Sequence, residues 1–105
     1  MIEKWLGEDV KIELSIDPID SLTLDDFDFE CILWLNNHKE TFVKKDLISL
    51  ENGKYALCFN TTEFGTGKVS FKLHCKIPDT DFKDGYRNQY FYNYDLLNIK
   101  EHYGY

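Results

Sequence analysis

A chain of 105 residues is one domain's worth, because a single core of this size already withdraws roughly 65% of the unfolded chain's surface from water. Nineteen acidic side chains against twelve basic give a formal charge of −7, which repels a phosphate backbone at long range and excludes nucleic acid as an expected partner. No apolar run approaches the about 20 residues that cross a bilayer, and Met1–Lys11 lacks the basic start and long apolar stretch of a secretion signal, so the expectation is a soluble chain made in the cytoplasm, with no membrane partner.

In chain order, the first clear signal is the alternation of Val10, Ile12, Leu14 and Ile16 against Lys11, Glu13 and Ser15, a period of two that predicts a half-buried strand. Pro18 and the aspartates that follow predict a loop through to Asp26. "FDFECILWLN" then predicts a strand with Phe27, Phe29, Cys31, Leu33 and Leu35 inward. Ile32 and Trp34 make the far half apolar on its outer side as well, so cover on both faces is expected there. A turn at "NNH" leads into "KETFVKKDLISL", read as a short charged edge strand, and "ENG" turns the chain again.

Tyr55, Leu57 and Phe59 form one face of the next strand. "NTTEFGTG" supplies Gly65 and Gly67 for a reversal that needs positive φ, and the cleanest strand follows, with Val69, Phe71, Leu73, Cys75 and Ile77 inward and Lys68, Ser70, Lys72, His74 and Lys76 outward. "PDTDFKDG" is a loop. The run "YRNQYFYNYDLLNI" is too rich in β-favouring aromatics for a helix, and it puts Tyr90, Tyr92 and Tyr94 on one face and Phe91 on the other. "KEHYGY" reads as a tail. No segment keeps a helical period, so the elements predict an all-β sandwich or barrel.

Motifs that could carry chemistry are incomplete. "GTGK" lacks both the earlier glycine and the hydroxyl residue of a phosphate-binding loop, since Thr62 and Val69 stand in those places. Asp79–Gly85 resembles a calcium loop, but Lys83 replaces an acid and Tyr90 stands where the closing glutamate belongs, which predicts a solvated acidic turn. His38, His74 and His102 have no sequence partner at ligand spacing, and a small hydrolase would need His74 gathered with carboxylates in a pocket. No cofactor, metal or small-molecule substrate is expected.

Cys31, Cys58 and Cys75 show no C-x-x-C spacing and are expected as buried free thiols, although Cys31 and Cys75 could face each other across two sheets. Lys68, Lys72 and Lys76 are expected to pair with acids on neighbouring strands. Trp34, Tyr90, Tyr92 and Tyr94 are the candidate interaction surface, because tyrosine and tryptophan are favoured at interfaces; the competing reading makes the tyrosines one side of the core.

Glu3–Leu14, Asp25–Leu33 and above all Phe59–Gln89, "FNTTEFGTGKVSFKLHCKIPDTDFKDGYRNQ", resemble small proteins encoded among the structural genes of phages and prophages of gut bacteria. Their layout is similar to the immunoglobulin-like N-terminal domain of phage baseplate upper proteins. The resemblance implies a single immunoglobulin-like antiparallel β-sandwich of about six to eight strands over residues 1–99, with 100–105 as tail. It also implies a non-enzymatic virion component, tail- or baseplate-associated, which works through contacts with other virion proteins or with itself as a homo-oligomer. A carbohydrate-binding module using Trp5, Trp34 or the tyrosines is the alternative.

Overall fold

The computed structural model describes residues 1–101. The described residues form eight strands: β1 (Ile2–Trp5), β2 (Asp9–Leu14), β3 (Asp28–Leu35), β4 (His38–Val43), β5 (Ile48–Ser49), β6 (Tyr55–Asn60), β7 (Gly67–Pro78) and β8 (Tyr86–Lys100). They make two sheets, one of five strands in the order β1-β8-β7-β3-β4 and one of three in the order β2-β6-β5. The fold is therefore an all-β sandwich. Among the described residues no helix is long and apolar enough to cross a membrane.

The period of two sorts side chains as expected. Phe29, Cys31, Leu33 and Leu35 of β3 and Val69, Phe71, Leu73, Cys75 and Ile77 of β7 are all buried, and they meet Val10, Ile12 and Leu14 of β2 and Tyr55, Leu57 and Phe59 of β6 in one core. Phe29 bridges the layers, its ring lying edge-on to that of Tyr55 with centroids 5.1 Å apart. Above this pair Lys44 donates to the carbonyls of Asp25 (3.1 Å) and Phe27 (2.9 Å), and the Tyr55 hydroxyl donates to Asp25 at 2.7 Å. Burial and this hydrogen bond both push the Tyr55 phenol above its ordinary pKa.

Four expectations are corrected and one open possibility is decided. Ile2–Trp5 is a strand, and it pairs in parallel with the end of β8 (Ile2 with Leu97, Trp5 with Lys100), so the sandwich is antiparallel except at this one ladder. The same pairing carries β8 into Lys100, the first residue read as tail. The segment read as one edge strand over 39–50 is split: β4 ends at Val43, a 3₁₀ turn over Lys44–Asp46 crosses the gap, and β5 joins the other sheet. Here the chain changes layers, which a continuous strand could not do without breaking the ladder.

Cys31 and Cys75 do not face each other across the layers. They sit on adjacent strands of the same sheet, where Cys31 pairs with Leu73 and Phe29 with Cys75. Both are buried free thiols, whereas Cys58 lies on the solvent side of β6 and is exposed. Burial raises the Cys31 thiol to about 12, with Cys75 and Glu30 adding to the shift, and raises Cys75 to about 11. Both stay protonated and unreactive at neutral pH. We expect Cys58 alone to react promptly with a thiol-specific reagent on the folded protein and Cys31 and Cys75 only after denaturation; prompt labelling of all the cysteines would contradict this packing.

Turn chemistry explains the loops. Thr23 opens a 3₁₀ turn over Leu24–Asp26, and its backbone N–H donates to the Asp26 carboxylate at 2.7 Å. Asn52 and Gly53 take positive φ at the "ENG" turn, as do Gly65 (+86°) and Gly67 (+128°) before β7. Thr61, the one buried polar side chain among the described residues, accepts from the Gly7 N–H at 2.7 Å and donates to the Trp5 carbonyl at 3.0 Å. It ties the β1–β2 turn to the end of β6.

The long β7–β8 hairpin outruns the three-stranded sheet and gives the molecule extents of 58 × 30 × 21 Å.

Candidate functional site

The antiparallel register of β7 and β8 fixes which way the tyrosines point. Tyr90 lies opposite His74 and Tyr92 opposite Lys72, both outward residues of β7, while Phe91 lies opposite the core residue Leu73. Tyr90, Tyr92 and Tyr94 therefore stand on the outer face of the five-stranded sheet, 46%, 52% and 61% exposed. They are not one side of the core.

Together they form a ladder. The Tyr90 and Tyr92 rings stack with centroids 6.2 Å apart at 25°, and Tyr92 and Tyr94 at 5.5 Å and 11°. Trp34 closes one end with an edge contact to Tyr94 at 6.2 Å, and the His74 ring closes the other by stacking on Tyr90 at 4.5 Å. All four predicted surface residues are thus brought into one row. Ile32 is buried but Trp34 only half-buried, so the cover expected on the outer side of β3 is partial, and Trp34 meets the Tyr94 ring of its own sheet rather than a second layer.

His74 belongs to this row and was missed as a member. Its Nδ1 lies 3.3 Å from Glu30 and its Nε2 2.7 Å from the Asn88 side-chain oxygen, so both ring nitrogens are engaged and the imidazole plane is fixed parallel to Tyr90. The signal was present, since His74 is an outward residue of β7, but only the register puts it beside Tyr90. The cleft at Glu30 and His74 is about 40 Å³, against roughly 300 Å³ or more for ordinary ligand pockets. That space accepts little beyond a water molecule.

The lysines behave differently from expectation. Lys72 lies over the Tyr90 ring at 5.5 Å and Lys76 over Tyr86 at 5.5 Å, so these two make cation–π contacts where carboxylate partners were expected. One acid of the "DTDFKDG" turn has a defined task. Asp79 accepts from the Asp81 N–H at 3.0 Å and from Arg87 at 2.8 Å, and Arg87 reaches Asp20 at 2.8 Å with its other arm. His38 sits beside Glu40 at 3.4 Å and edge-on to Phe64, and His102 lies outside the described residues.

The Asp81 N–H and then Arg87 hold the Asp79 carboxyl below the ordinary 3.8. A depressed carboxyl contributes stability that is present above the unfolded pKa and lost as pH falls through the folded one. We therefore expect the native protein to lose stability below about pH 4 and Asp79→Asn to lose less over the same interval. Urea midpoints from pH 6 to pH 2 check this, and parallel curves for the two proteins would contradict it.

No protein-family profile matches the chain, and no curated protein matches it. Among solved structures, a candidate glycoside hydrolase from Bacteroides vulgatus ATCC 8482 matches 97% of this chain with a TM-score of 0.55 at 6% identity. The chain spans 17% of that protein's length. At this identity the likeness concerns the fold alone.

Proposed function

We propose that this domain is a non-enzymatic interaction module that docks another protein on the outer face of its five-stranded sheet, in the phage tail or baseplate setting implied by the resemblance of Phe59–Gln89. The observation that carries the reading is the attitude of the rings. A sugar ring stacks on an uncovered aromatic face, but here the tyrosine rings stack on one another, at 11° and 25°. A row of half-exposed tyrosines joins apolar rings to polar hydroxyls, the combination favoured at protein interfaces.

The second reading is a carbohydrate-binding module. It is supported by the partial exposure of Trp34 and by the likeness in fold to a candidate glycoside hydrolase.

A photo-crosslinking residue at position 92, introduced in cells producing the protein, separates the two. The expected result is a covalent adduct with a polypeptide, together with no change in intrinsic fluorescence across a panel of soluble oligosaccharides. A saccharide-induced change abolished by Tyr92→Ala would move the assignment to carbohydrate binding.

A further inference from the structure

One sheet edge differs from all the others. β7 pairs along one side of β8, while β1 takes the other side only at Leu97–Lys100, so among the described residues Tyr86–Leu96 has no strand on that side. Open strand edges invite pairing with other chains and are commonly guarded by charge, proline or brevity. Here β4 carries Lys39 and Glu40, β2 carries Lys11 and Glu13, β1 carries Glu3 and Lys4, and β5 has only two residues. β8 from Asn88 to Tyr94 has no charge and no proline, in a chain that is 30% charged. On its core side this edge borders an open, mainly apolar groove of about 280 Å³ lined by Ile12, Leu14, Ile16, Phe91 and Leu96, with Glu13 at its wall and Asp17 and Pro18 beyond it beside Gln89.

We infer that this edge pairs antiparallel with the same edge of a second copy of the chain, about a two-fold axis at Tyr90, so that the two five-stranded sheets and their tyrosine rows become continuous. The inference goes beyond the docking reading of the ladder: it concerns the strand edge, and the doubled outer face stays open to another protein.

Three arguments select a second copy. A partner for this edge must itself be an extended, open, uncharged strand, and β8 meets that description; each copy carries −7, so only a neutral contact stretch lets two copies approach without close like-charge pairs. Parity also fits. Under a two-fold axis the numbers of facing residues have a constant sum, and only an even sum keeps core-facing side chains on the core side. Centring on Tyr90 sets Tyr90 opposite its counterpart, Asn88 opposite Tyr92 and Gln89 opposite Phe91. The register confines pairing to Arg87–Asn93, which is regularly paired with β7 and ends where the ladder shifts between Val69 and Phe71.

An interface of one strand pair falls at or below the small end of specific contacts, about 1,200 Å² in total, so association in the micromolar range is expected. Sedimentation velocity from micromolar to submillimolar concentration should show the mass rising from 12.5 kDa toward twice that value. Tyr90→Glu and Tyr90→Lys, at an exposed position, should each weaken dimerisation at least about tenfold by setting like charges face to face, and an equimolar mixture should restore it. Amide exchange over Arg87–Asn93 should slow as concentration rises. A wild-type monomer throughout, or a dimer indifferent to both charged variants, overturns the inference. Crosslinks from position 92 to a different protein, with the chain monomeric, would overturn self-pairing and leave the docking reading intact; saccharide binding on the ladder by a protein that still dimerises would end the docking reading and leave self-pairing intact.

Discussion

Phe29→Ala is expected to lower the unfolding free energy by about 3–5 kcal/mol, the range for removing a buried aromatic ring. Phe29 is 2% exposed and is the ring through which β3 meets Tyr55 of the opposite sheet. Its removal leaves a void between the layers and also removes the surface beneath Lys44, whose ammonium lies 5.7 Å from the Phe29 ring and 5.8 Å from that of Tyr55. Tyr55→Phe serves as the comparison. It keeps the edge contact and deletes the hydroxyl, with its bond to Asp25 and its interaction with Ser49, at a cost of about 1 kcal/mol. Urea unfolding of the three proteins checks the order. A Phe29→Ala loss no larger than that of Tyr55→Phe would mean that the two layers are not held together at this ring.

Gly53→Ala is the second large effect, at about 2–4 kcal/mol, and two causes add. The φ of +72° places an alanine in the left-handed region, which costs roughly 1–2 kcal/mol. The new methyl would also lie 2.8 Å from the Thr23 Cβ and 2.9 Å from its Oγ1, closer than contact distance and against a short side chain with little room to yield. Thr23 caps the turn that presents Asp25 to Tyr55, so its displacement loosens the hydroxyl contact as well. Gly85→Ala isolates the first cause: φ is +83° and nothing lies within 4 Å of the added methyl. The midpoint shift for Gly53→Ala should exceed that for Gly85→Ala; equal shifts would mean that the loop at Thr23 moves aside freely.

What the sequence disclosed follows from which forces are local. β7 was legible because its alternation is unbroken, and β3 because every second residue is apolar even where Ile32 is buried as well; burial on one side forces that set inward. β1 was not, because "IEKW" carries two charges in four residues and becomes a strand only by finding β8 at the far end of the chain. The layer change after Val43 was hidden for a related reason, since Lys44–Asp46 looks like any charged strand until Lys44 is seen capping Asp25 and Phe27.

Cys58 shows a signal that was present and unused. Tyr55, Leu57 and Phe59 already define the core side of β6, so the residue between the last two had to face outward. For the tyrosines, alternation placed three rings on one face but could not say which. That depended on the pairing with β7, which sets them beside Lys72 and His74, and on the bulged register near Val69, which no local pattern announces.

The parallel ladder between β1 and β8 has a kinetic consequence. Ile2 must close on Leu97, so this pairing is of the most non-local kind the chain permits, and contacts of that kind slow folding. As the ribosome delivers the polypeptide, the β3–β4 hairpin can assemble early, whereas β1 has no mate until the final strand emerges. Leu97 and Ile99, both fully withdrawn from water, arrive at the same late moment. The sheet is completed only after synthesis has passed Lys100, and until then the first strand waits unpaired.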